Sequence, residues 1–173
     1  MPDSTEILLD NLKQTFQAIE KYLMIGLTAS FVLVALASTD RSLLGSAKVM
    51  FADISAPAQL VWFVAWGVWE AAGLFAALSF WRRMQILEAL KEQIDLVKAS
   101  LLYPSIAAQI GIVQVMVLGV AGLPGMGAIW FLAQQSSLDP YSILAMVLAF
   151  GAPYLAIFGM VLTAYWRTVR AQT

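Results

Sequence analysis

The sequence predicts an all-α integral membrane protein with four transmembrane helices and two cytoplasmic amphipathic helical extensions, one N-terminal and one in mid-chain. Three observations predict it. Hydrophobic residues make up 61% of the 173 residues and charged ones only 12%, against about 25% charged in an ordinary soluble domain. Four long apolar stretches are separated by polar ones. Finally, the lysines and arginines fall unevenly on alternate loops.

Residues 1–21 read as a cytoplasmic amphipathic helix and 22–173 as the transmembrane domain. Leu9, Leu12, Phe16, Ile19 and Leu23 follow a 3-4-3-4 spacing that runs directly into the first apolar stretch. Apolar residues every 3.5 positions form a coiled-coil seam suited to another helix. Asp3 and Glu6 are spaced as a capping box at its start. The acidic and basic residues among the first twenty are unlike a secretory signal, so no cleavage is expected.

The spans are placed at 22–38, 58–81, 105–122 and 141–166. A crossing needs about 17–25 apolar residues, so the first is at the short limit. The third apolar stretch, Ser105–Gln134, is too long for one straight span. It contains Gly122-Leu123-Pro124-Gly125-Met126-Gly127, so the span is expected to end near Gly122. A kink and a short interfacial helix would follow. Helices are expected because lipid leaves backbone polar groups no other partner; the ten-residue alternation of a membrane barrel is absent.

After span two, Leu87, Leu90, Ile94, Val97 and Leu101 repeat the seam within a cytoplasmic helix over 82–103. This extension is expected to pair with the N-terminal one, with a second copy or with a partner. Pro104 ends it. Lys13, Lys21, Arg82, Arg83, Lys91, Lys98, Arg167 and Arg170 fall on one side, and only Arg41 and Lys48 on the other. Basic loops stay cytoplasmic, so both termini are expected inside a cell, or bacterial inner, membrane. Phe80-Trp81-Arg82 and Tyr165-Trp166-Arg167, with Tyr22 and Tyr103, form an aromatic belt on that side.

Composition excludes several chemistries. Cysteine and histidine are both absent, so no disulfide, thiolate zinc site, histidine-ligated haem or histidine base exists. Net charge is −1, which gives no reason to expect a nucleic-acid partner. No cofactor or metal is expected, no nucleophile has a recognisable base, and the chain reads as non-enzymatic.

Glu70 is the most informative residue. It sits near the middle of span two, where an ionised, unpaired carboxylate costs several kcal/mol. No basic residue lies within a span to pair with it. Gln114 and Tyr154 fall at similar depth, so a midplane cluster is expected if their faces meet. Trp62, Trp66 and Trp69 share one helical face beside it, and an acid next to indoles suits a cation. The plainer reading is a neutral interhelical acid beside tryptophans packed on lipid or another subunit. Gly111, Gly119 and Gly122 read as points of close helix approach. The expected function is a membrane subunit that assembles through its cytoplasmic helices and packed spans, as a homo-oligomer or within a larger complex. The alternative is a small oligomeric ion channel or proton-coupled transporter that uses Glu70.

Overall fold

The computed structural model describes residues 4–38, 47–48, 55–56, 58–90, 112–134 and 138–170. They form four helices: α1 (Ser4–Ser38), α2 (Ala58–Ala89), α3 (Ile112–Gln134) and α4 (Pro140–Arg170). Between α1 and α2, two short strands, β1 (Ala47–Lys48) and β2 (Ser55–Ala56), pair antiparallel, Ala47 opposite Ala56 and Lys48 opposite Ser55. Three helices are long and apolar enough to cross a membrane, over Thr5–Ser38, Leu60–Ala89 and Pro140–Thr163; in α3 the apolar part is Val115–Phe131.

α1 has 35 residues, about 52 Å at 1.5 Å each. The amphipathic segment and the first apolar stretch are therefore one helix. Its buried face, Leu12, Phe16, Ile19, Leu23, Gly26, Ser30 and Leu33, keeps the alternating 4-3 spacing throughout. α2 is antiparallel to it. Gly26 lies against Ala72, Tyr22 stacks on Phe75 with centroids 5.3 Å apart, and Arg83 sits over Phe16. Ile86 and Leu90 are buried in the same core as Leu12 and Phe16. Most of the first predicted seam is thus enclosed within the chain, and of the second Leu90 joins the same core.

α3 and α4 are also antiparallel, Gly151 against Met126 and Gly122 against Tyr154. α2 and α4 run parallel, with Trp66 on Phe150 and Trp69 on Tyr154. α1 packs beside α2 and α3, and α4 beside the same two. The bundle order is therefore α1-α2-α4-α3, with the consecutive helices α2 and α3 on a diagonal.

α3 corrects one expectation. The helix runs unbroken through Gly122 and Pro124 to Gln134, with no separate interfacial helix at its end. Proline removes one ladder hydrogen bond, yet in an apolar setting leaving the helix would strand several more. Pro153 is likewise inside α4. α4 starts where proline is favoured, at the first helical position, after Asp139, whose Oδ1 accepts the amides of Tyr141 and Ser142 at 3.0 and 3.1 Å.

Hydroxyls on these helices bond back to their own carbonyls: Thr15 to Asn11, Thr28 to Met24, Ser79 to Phe75 and Thr163 to Gly159. That removes their demand for water. The exterior is apolar, with Phe31, Phe63, Leu74 and Leu123 more than half exposed, an exposure compatible with lipid as solvent.

Candidate functional site

The centre of the bundle is filled by two crossed side chains. Trp69 reaches from α2 across the diagonal to α3, where its Nε1 donates to the Ala121 carbonyl at 3.0 Å. Tyr154 reaches from α4, stacks on Trp69 at 4.8 Å and 18°, and donates its hydroxyl to the Trp69 carbonyl at 2.9 Å. Each ring is apolar with one polar tip, and each tip finds a backbone acceptor.

Glycines make room for both rings. A Cβ on Gly73 would lie 2.5 Å from Tyr154 Cε2, and one on Gly122 3.1 Å from Tyr154 Cβ. A Cβ on Gly26 would collide with the Tyr154 hydroxyl. A Cβ on Gly125 would lie 2.5 Å from Trp69 Cε2. Of the glycines the sequence marks for close approach, Gly122 serves that role. Gly119 does not: among the described residues a Cβ there would meet only Leu123 of its own helix, at 3.8 Å. Gly111 lies outside the described residues. Gly26 and Gly73 escape the sequence reading, and Gly125 is read there as part of a break, although each lies on the buried stripe of its helix.

Glu70 follows Trp69 on α2. It is half-buried, and its Oε2 is fully enclosed with no hydrogen-bond partner. Tyr154 therefore bonds the backbone of the residue before Glu70 and does not bond the carboxylate. The Gln114 side chain lies outside the described residues, so the third member of the expected cluster is not placed. Trp66 and Trp62 lie one and two turns before Glu70 on α2. They stack at 6.1 Å, Trp66 meets Phe150 edge-on at 4.7 Å, and both indole nitrogens are buried and unpartnered. Trp69 is fully buried in the chain's own core, which differs from the expectation of lipid or subunit packing; Trp62 and Trp66 remain half-buried. The result is one stripe with an unmatched acceptor and two unmatched donors. Gly67, one turn from Glu70, is exposed, and a Cβ there would meet nothing within 4 Å.

The seam residues divide similarly. Leu12, Phe16, Ile19 and Leu90 are buried within the chain. Leu9 and Leu87 are half-buried. Ile94, Val97 and Leu101 lie outside the described residues. Among the described residues no cluster of three acidic side chains has the arrangement of a metal site.

Compared with protein-family models, curated proteins and solved structures, the chain matches none.

Proposed function

We propose that the chain is a non-enzymatic, multi-pass subunit of the cell membrane, with both termini cytoplasmic. It works by assembling with another membrane helix, from a second copy or a larger complex, on the Glu70 face of α2. The observation that carries this reading is the half-buried Glu70 carboxyl on the outside of α2, whose enclosed Oε2 finds no donor inside the chain and whose remaining surface is open to a second helix. A carboxyl at mid-helix costs about 2.5–3.5 kcal/mol on insertion scales, and a donor from a neighbouring helix offsets that cost. Gly67 beside it leaves open space, and such small residues let helices approach closely in lipid. The Trp69–Tyr154 pair obstructs the bundle axis at this level, which argues against a pore through a single chain. Burial of Leu12, Phe16, Ile19 and Leu90 within the chain supports placing the assembly surface on the spans ahead of the cytoplasmic helices.

The second reading, a small oligomeric channel or proton-coupled transporter, is favoured by the same carboxyl, because an ionisable group at that depth suits proton coupling. Two measurements separate the readings. In mild detergent, sizing of Glu70→Leu should show loss of the assembly while Glu70→Gln retains it. In liposomes, a proton flux abolished by Glu70→Gln would establish transport in its place. Topology is tested by reporters: fusions after Lys98 and at Thr173 should read cytoplasmic and one near Ser137 external. A cytoplasmic Ser137 would overturn the four-span arrangement.

A further inference from the structure

Arg83 is 6% exposed, although it lies two residues beyond Trp81, where the sequence places the end of span two. Its guanidinium carbon sits 5.5 Å from the Phe16 ring centroid and 5.9 Å from that of Phe80. Its Nε is buried and has no hydrogen-bond partner, and among the described residues no carboxylate pairs with it. The neighbouring Arg82 is exposed and donates to the Asn11 carboxamide oxygen at 3.5 Å.

A buried cation normally has an anion beside it, because the lost hydration is otherwise uncompensated. Two aromatic faces recover part of the loss and leave the buried Nε–H without an acceptor. The fork suits two oxygens of one phosphate. Under the proposed topology, which this inference adopts, Arg83 lies at the cytoplasmic headgroup level, where basic pockets between helices take lipid phosphates.

We infer that Arg83, held between Phe16 and Phe80 with Arg82 alongside, is the anchor of a phosphate-binding site at the cytoplasmic end of the α1–α2 pair. Phosphate reaches it either on an anionic phospholipid or as a free ion.

The test is native mass spectrometry of the full chain in detergent, titrated separately with phosphatidylglycerol, phosphatidylcholine and inorganic phosphate. The expected result is one saturable phosphatidylglycerol per chain, bound more tightly than phosphatidylcholine. Arg83→Gln should weaken it about tenfold or more, the worth of one charge-assisted bond, and Arg82→Gln should weaken it less. Saturable binding of inorganic phosphate with the same dependence on Arg83 would identify the free ion as the occupant. No saturable binding to the wild type, or equal binding by wild type and Arg83→Gln, overturns the site. If Arg83→Gln does not fold, Arg83→Lys is the comparison: it keeps the charge without the fork, and unchanged binding overturns the site equally. The reporter fusions judge the topology independently, so failure of one is distinguishable from failure of the other.

Discussion

Replacing Gly125 by alanine tests the central packing most directly. The added methyl would lie 2.5 Å from Trp69 Cε2 and 2.7 Å from both Cζ2 and Nε1. Trp69 is fully buried and stacked on Tyr154, so its ring has no free direction in which to yield. Overpacking of this kind costs about 1–3 kcal/mol. Losing the Trp69–Ala121 hydrogen bond adds about 0.6–1.7 kcal/mol on the scale of polar contacts in membranes. Alanine returns about 0.8–1.0 kcal/mol through helix propensity. The net loss is about 1–4 kcal/mol. Gly127→Ala is the control, because a Cβ there meets nothing within 4 Å; it should be neutral or slightly stabilising. The assay is unfolding in mixed micelles by titration with a denaturing detergent, followed by helicity. Adding Trp69→Phe should relieve the Gly125→Ala penalty in a double-mutant cycle by about 1 kcal/mol or more. Equal stability of Gly125→Ala and Gly127→Ala would refute the reasoning.

Three further outcomes are expected. Tyr154→Phe removes the hydroxyl bonded to Trp69 and keeps the ring stack, so it should cost about 0.6–1.7 kcal/mol in the same titration. Phe16→Ala opens the α1–α2 seam at a fully enclosed ring and should cost about 3–5 kcal/mol, whereas Ile7→Ala at an exposed position should change little. Asp139 is held below the usual carboxyl range by the Ser142 hydroxyl first and then by the Ser142 and Tyr141 amides. A depressed value means stabilisation that is present above the unfolded value, about pH 4, and disappears as pH falls through the folded one. Hydrogen-exchange protection at the Tyr141 and Ser142 amides, taken relative to the intrinsic rate at each pH, should therefore fall on acidification in the wild type and stay flat in Asp139→Asn, which keeps a capping oxygen.

The alternating seam was legible because burial follows helical geometry: Leu12, Phe16, Ile19 and Leu23 are all enclosed, and the same spacing continues to Leu33. The burial of Arg83 was also written in the spacing. It occupies the stripe that passes through Phe80, Leu87 and Leu90, but its charge placed it with the belt. Pro124 misled because a breaker's local preference competes with the cost of stranding backbone groups in apolar surroundings, and the latter prevails. Depth counting brought Tyr154 near Glu70 but carried no information on azimuth. A rotation of one residue around α2 decides whether that hydroxyl meets a carboxylate or the carbonyl of Trp69. Gly119 and Gly122 differ for the same reason, since only Gly122 faces Tyr154.

The closure of α1 on the far end of α2 also bears on biosynthesis. Leu12 and Phe16 share a core with Ile86 and Leu90, which emerge from the ribosome some seventy or more positions later. At about 5–20 residues per second, the N-terminal seam waits several seconds before its cover exists. During that interval an amphipathic helix rests naturally in the plane of a headgroup layer. Under the proposed membrane placement, the nascent chain can rest on the membrane surface until α2 is made, and docking of α2 then moves that face from the headgroups into protein.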